Sequence, residues 1–329
     1  MTGGEPLVSV VTPFYNTRPY LAECIESVLR QSYQNWEYAL VNNCSTDGSA
    51  EIADRYARLD SRIRVLNNAS FIGQVANYNG ALAHISPDSR YCKVVEADNW
   101  IFPNCLEEMV ALAEAQPSVG IIGCQYHEGT RVTAARLEHA SPAIDGKTAC
   151  KMNLVDGVPL FGAPTNLLLR SSIVRGRRPF YDPNSLHPDK DVCYSVLQQW
   201  NFGYVPQPLA FIRVDEKSIS ANLRELGTYD LQRFVLLQKY GRLLFPQEVE
   251  FRKISRQIER QHATSLVKRV LTSRRRRDVW RVHCQSLSPY GYELSWKRLL
   301  PLVTLAVVRR VFGTWSLAIA GTHEQKPAR

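Results

Sequence analysis

The chain has 329 residues, 45% of them hydrophobic, enough to bury a proper core in one large domain or one domain with an appendage. Its eight cysteines stand singly with no CxxC pair, which argues against a zinc site and for reduced thiols in a cytoplasmic protein. The net charge of +9 is uneven: residues 1–241 hold 22 Lys/Arg and 25 Asp/Glu, whereas residues 242–310 hold 16 and 5. A near-neutral body followed by a basic segment points to an anionic partner surface, or else to a solvated basic helical face.

The opening "MTGGEPLVSVV" has no basic region followed by an apolar core, so no signal peptide is expected. "LVSVVTPFYN" (7–16) is a β-branched apolar run ended by Pro13 and reads as a buried strand. Leu21, Ile25, Val28 and Leu29 then recur at helical spacing, with Pro19 suited to the first turn. "EYALVN" (37–42) is a second strand, and Ile52, Tyr56 and Leu59 mark a second helix with Ser49 as its expected N-cap. "RIRVL" (62–66) and a helix through Val75, Tyr78, Leu82 and Ile85 follow. Next come a strand "YCKVVE" (91–96), a helix over about 103–116 and a strand "VGIIGC" (119–124).

Strands alternating with helices of this length imply parallel βαβ units and a doubly wound sheet. From 127 to 165 the pattern weakens. "NLLLR" (166–170) is another strand, "HPDKDVCYSVLQQW" (187–200) a helix opened by Pro188, and "GYVPQPLAFIRVDEKSIS" extended. Beyond about residue 222 the chain reads as helical and basic. The expected division is therefore 1–222, an α/β domain, and 223–329, a basic helical segment.

In a doubly wound sheet, ligands sit outside the carboxyl ends of the strands. Three polar clusters fall there: "TPFYN", "NNCSTD" and "EADNW". Glu96 and Asp98 are two apart and can converge on a hard divalent ion, since Mg²⁺ commonly takes one or two carboxylates plus substrate phosphates. The alternative is a polar strand end with Asp98 capping a turn. In "NNCSTDGS" an asparagine can accept from a nucleobase imide N–H, or satisfy its own turn. In "HPDKD", Asp189 lies in the first helical turn, where the macrodipole favours an ionised carboxylate suited to a general base. Asp191 lies about 200° further round at ~100° per residue, on another face. Both could also be mere N-terminal charges, and His187 is a competing base.

The ordered set "VSVVTPFYN", "LRQSYQNWEYALVNNCSTDGS", "NNASFIGQVANYNGALAH" and "EADNWIFPNCLEEM" resembles the N-terminal half of family 2 glycosyltransferases, which have a GT-A fold. The resemblance covers about residues 7–125 and resumes at 160–220. It implies sugar transfer from a nucleotide-diphosphosugar to a glycan or lipid-linked acceptor, usually with inversion, aided by Mg²⁺ or Mn²⁺. It also implies a place in polysaccharide or cell-envelope synthesis. The family's "DDGSTD" stands here as "NNCSTD", its "DAD" as "EAD", and its "R-x-H-x-x-S" as "RVDEKS" (213–218), with Asp215 in place of the histidine. Carried over, Pro13, Tyr15 and Asn43 line the nucleoside pocket. Asp98, supported by Glu96, faces metal and diphosphate, and Asp189 deprotonates the acceptor. Asn43 for Asp gives up a charge-assisted hydrogen bond. Asp215 for His replaces a possible cation with an anion. These departures admit a second function, a catalytically degenerate protein that only holds a sugar nucleotide.

Leu299 to Ala320 is apolar but interrupted by Arg309 and Arg310, which cost roughly 5–7 kcal/mol at a membrane centre. The uninterrupted pieces are also shorter than the ~17 residues a span requires. Trp296, Leu299, Leu300, Val303, Val307 and Val311 form a helical stripe flanked by basic residues. It is expected to lie on a membrane surface, peripheral to the inner face of the cell membrane, or to pack on the body. Nucleic acid is not an expected partner, because "SRRRR" lacks interleaved stacking aromatics.

Overall fold

The first apolar run becomes β1 (Val8–Phe14), every residue of which is buried. In this computed structural model, which describes residues 4–133, 135, 137, 143–215 and 218–295, the chain divides into two units, Met1–Asp215 and Glu216–Arg329. The expected surface helix over 296–320 lies outside the described residues.

In the first unit, helices alternate with strands. After β1 come α1 (Arg18–Leu29), β2 (Trp36–Asn42), α2 (Ser49–Leu59), β3 (Ile63–Asn67), α3 (Gln74–Leu82) and β4 (Tyr91–Val94). Then follow β5 (Trp100–Ile101), α4 (Cys105–Ala115), β6 (Val119–Glu128), β7 (Arg131–Thr133), β8 (Ala143–Ile144) and α5 (Gly146–Lys151). The unit closes with β9 (Leu167–Arg170), α6 (Ser171–Arg175), α7 (Pro188–Val196) and β10 (Asn201–Ile212). The sheet order is β3-β2-β1-β4-β9-β6-β10-β5, with β7 on β6 and β8 on β10. The long pairings β1–β2, β2–β3, β1–β4 and β6–β10 are parallel. β9 enters antiparallel between β4 and β6, and β5 runs antiparallel to β10. This is the mostly parallel, helix-flanked sheet expected, with a mixed half added.

Buried apolar side chains on strands β1, β2 and β4 and on helices α1 and α4 form one continuous core. Parallel strands covered on both faces must be apolar along their length, which is why they read as continuous β-branched runs. The register Val8↔Trp36 through Phe14↔Asn42, continued by Asn42↔Asn67, aligns three strand ends. Tyr15, Asn43 and Asn68 therefore leave the sheet at one edge, with the segment after β4 beside them.

α2 starts one residue earlier than expected. Gly48, not Ser49, is its N-cap, at φ 93°, a left-handed conformation that favours glycine. The Ser49 hydroxyl instead donates to Asp47 Oδ1 (2.6 Å) and accepts from the Thr17 N–H (2.9 Å).

The second unit contains α8 (Ile219–Glu225), α9 (Thr228–Leu244), α10 (Glu248–Thr272) and α11 (Arg276–Leu287). Leu226, Ala263, Leu266, Val267 and Val279 make its small core. Beside it His262 and His283 are buried and joined, Nε2 to Nδ1, at 2.9 Å. Among the described residues, no helix is long and apolar enough to cross a membrane.

Candidate active site

The turn after β2 uses most of its polar groups on the protein itself. Asn42 Nδ2 donates to Asn67 Oδ1 (2.9 Å), and its Oδ1 accepts from the Ser45 N–H (2.9 Å). Asn43, 2% exposed, accepts through Oδ1 from the Ile72 N–H (3.1 Å) and from Asn68 Nδ2 (2.9 Å), and donates Nδ2–H to the Ile72 carbonyl (2.8 Å). Both acceptor positions of Oδ1 are filled. The expectation that Asn43 accepts from a nucleobase is therefore corrected: the amide holds a loop. An aspartate could not donate to the Ile72 carbonyl, which accounts for an amide at this position.

The loop held in this way carries Phe71, which is 60% exposed. Its ring lies 4.7 Å from that of Tyr15, itself 46% exposed and just past the end of β1. Pro13 is buried within β1 below them. Two exposed rings in contact form a surface on which a flat ligand can stack. The sequence signal for Phe71 is weak, a single aromatic ring in the stretch "NNASFIG".

Glu96 and Asp98 follow β4 and serve different ends. Glu96 Oε2 accepts from the Thr165 hydroxyl (3.0 Å) and from Asn99 Nδ2 (3.0 Å), and Oε1 lies 3.4 Å from the Tyr78 hydroxyl. Burial, then the charge of Asp98, push its carboxyl up to about 8; the Thr165 hydrogen bond opposes them and Asp189 adds to the rise. These bonds let Glu96 brace the turn that carries Asp98, a role compatible with the metal support expected of it.

Asp98 is half-buried. Burial raises its carboxyl, its own N–H and Arg213 oppose the rise, and Asp215 adds to it. Arg213 grips the turn from the end of β10: its N–H donates to Asn99 Oδ1 (2.9 Å) and its Nε to the Asp98 carbonyl (3.0 Å). It also pairs with Glu23 and lies over the Tyr20 ring at 4.5 Å.

Among the described residues, no group of three His, Cys, Asp or Glu side chains is gathered to hold a metal alone. One half-buried carboxylate, raised by burial and by a like charge, instead suits a hard cation completed by substrate phosphates. Asp98 is the residue that fits such an ion.

Asp189 is the second residue of α7, after Pro188. The helix start was expected to favour its ionised form, and burial works against that. Burial raises it, against the opposing Lys190 charge and backbone N–H groups. Its charge adds to the rise of both Glu96 and Tyr181. Asn79 clamps Tyr181 from α3, donating to its carbonyl (2.9 Å) and accepting its N–H (2.8 Å). Asp191 is buried at 6% exposure, and its N–H bonds the His187 carbonyl at 3.1 Å. His187 is buried as well. Glu96 thus feels the charges of Asp98 and Asp189, and Asp98 feels that of Asp215.

The family profile described as "Glycosyl transferase family 2" matches residues 9–176. The chain belongs to glycosyl transferase family 2. It is 37% identical over 123 residues to glycosyltransferase GlyG of Streptococcus pneumoniae serotype 4, covering 37% of this chain and 40% of that one. It is 30% identical over 229 residues to EpsH of Bacillus subtilis (strain 168), named as a glycosyltransferase, covering 65% and 62%. The chain therefore spans less than two thirds of either relative. Its fold is similar to that of S. aureus TarS 1–349 solved with UDP-GlcNAc: TM-score 0.66, 15% identity, 90% of this chain and 83% of that one. The mannosyltransferase PcManGT from Pyrobaculum calidifontis, solved with GDP-Man and Mn²⁺, has the same fold at TM-score 0.54 and 16% identity, covering 94% and 88%.

Proposed function

We propose that this family 2 member moves a sugar from a nucleotide-diphosphosugar to an acceptor hydroxyl, with inversion, in cell-surface polysaccharide synthesis. This reading is supported by Glu96 and Asp98 lying just past β4, by the charge of Asp189 acting on Glu96, and by the Tyr15–Phe71 pair just past β1.

Tyr15 and Phe71 receive the nucleobase, over Pro13, and Asn43 keeps Phe71 in place. Asp98 holds Mg²⁺ or Mn²⁺, which supplies positive charge opposite the diphosphate. Glu96 and Arg213 fix the Asp98 turn, so the carboxylate is oriented before substrate arrives. Asp189 takes the proton of the acceptor hydroxyl from the side opposite the leaving group. A carboxylate raised by burial is a stronger base than an exposed one, and it stays useful as long as its acidity remains below the working pH.

One observation favours the alternative of a protein that binds a sugar nucleotide without turnover: Asp215 adds negative charge beside Asp98. The two separate in a screen of UDP-, GDP- and dTDP-sugars with Mn²⁺. Thermal stabilisation with release of nucleoside diphosphate supports the transferase, and stabilisation with no release supports the binding protein.

The same reading places the protein peripherally on an anionic membrane. Arg252, Arg256, Arg260 and Lys268 are exposed on one row of α10 at intervals of four or eight residues, with Lys253 beside them. Val249 is 83% exposed and Leu271 49% exposed near the two ends of that helix. Anionic lipid attracts each surface Lys or Arg by about 1 kcal/mol.

A further inference from the structure

Strands β5, β10, β6 and β7 present two opposite rows of side chains. Register partners share a face, so Ile101, Ala210, Tyr126 and Thr133 make one row and Trp100, Phe211, His127 and Val132 the other. The first row is buried throughout. The second is half-buried at its first three positions and 50% exposed at Val132. Alternation in a sheet with one covered face calls for polar residues on the open side. Here that side carries aromatic rings instead.

The rings are ordered against one another. Trp100 and Phe211 are stacked, with centroids 4.9 Å apart and planes at 9°. Phe102 lies 4.7 Å from Trp100 and 5.9 Å from His127. The shelf begins one rung from the site described above. Trp100 is two residues after Asp98, and Phe211 is two before Arg213, whose guanidinium lies 5.9 Å from the Phe211 ring.

We propose that the Trp100–Phe211–Phe102 shelf holds a pyranose ring of a glycan acceptor, placing its hydroxyl towards Asp98 and Asp189. A pyranose offers a C–H face that stacks on aromatic rings and a rim of hydroxyls that need polar partners. Arg213 and His127 supply that rim at either side of the shelf. The occupant is an acceptor sugar rather than the nucleobase, because the Tyr15–Phe71 pair already provides a stacking surface at the end of β1. The assignment rests on the transferase reading, and its test is arranged to fail separately from it.

Saturation-transfer NMR with chitotetraose, maltotetraose and cellotetraose provides the test. The expected result is magnetisation transfer to ring C–H protons of at least one tetrasaccharide. Trp100→Leu and Phe211→Leu weaken that binding at least tenfold, Trp100→Phe retains it, and affinity for UDP or GDP with Mn²⁺ stays as in the parent. Transfer to none of the three sugars, or equal transfer in the leucine variants, overturns the platform. Persistent ring-proton transfer from a protein that releases no nucleoside diphosphate from any nucleotide sugar supports the platform while refuting the transferase.

Discussion

Asn43 grips Ile72 on both sides, accepting its N–H at 3.1 Å and donating to its carbonyl at 2.8 Å. Phe71, the residue before Ile72, is thereby set against Tyr15. Asn43→Asp removes the donor and turns a carboxylate towards a carbonyl, in a place that is 2% exposed. Leaving a buried partner unsatisfied costs about 1–3 kcal/mol. The variant should melt earlier and bind its nucleotide about tenfold more weakly. Unchanged melting and affinity would show that the loop does not depend on this amide.

Asp98 and Glu96 should differ on substitution. Asp98→Ala is expected to abolish Mn²⁺-dependent donor binding in calorimetry. Glu96→Gln keeps an acceptor for Thr165 and Asn99 and reverses only the long contact with Tyr78, whose hydroxyl can turn to accept the new N–H, so it should weaken binding far less. Loss of metal dependence in Glu96→Gln with none in Asp98→Ala would reverse the two roles.

The strands were legible because β1, β2 and β4 are buried on both faces and so spell continuous apolar runs. The antiparallel entry of β9 was not, since direction within a sheet is fixed by neighbours far along the chain. The polar clusters were correctly placed at one edge, but their partners were not visible. Thr165, which engages Glu96, is 69 residues away, and Ile72, which occupies Asn43, is 29 away. A turn reading of "NNCSTD" was open from the residues alone, and the hydrogen bonds favour it. The half-burial of Asp189 could not be read from helical position, which supplies only the dipole.

The α10 row predicts salt-sensitive attachment. Full-length protein should bind anionic vesicles at low salt and leave them as salt rises. Arg252→Glu, Arg256→Glu and Arg260→Glu together should abolish the binding. Equal binding to neutral vesicles would remove charge as the cause.

The buried histidine pair predicts acid sensitivity of the helical unit. Burial first, then the neighbouring His283, lower His262 to about 3, and burial lowers His283 as well. An unfolded histidine takes up its proton near pH 6.5 while the folded pair stays neutral. Stability is therefore intact above pH 6.5 and falls as pH drops from there towards 3, by about 1.4 kcal/mol per unit for each histidine held neutral. Urea denaturation of the full chain followed by circular dichroism at stepped pH checks this. A flat stability between pH 6.5 and 4 would contradict it.

The central claim is that Asp189 is the base of an inverting glycosyl transfer. The measurement is the rate of transfer, the donor affinity and the anomeric configuration of the product for the parent and Asp189→Asn, with Asp191→Asn and His187→Ala alongside. Asp189→Asn should lose about 10²–10⁴-fold in turnover with donor affinity retained, and the parent's product should be inverted. Near-normal transfer by Asp189→Asn, or a product of retained configuration, would contradict the account.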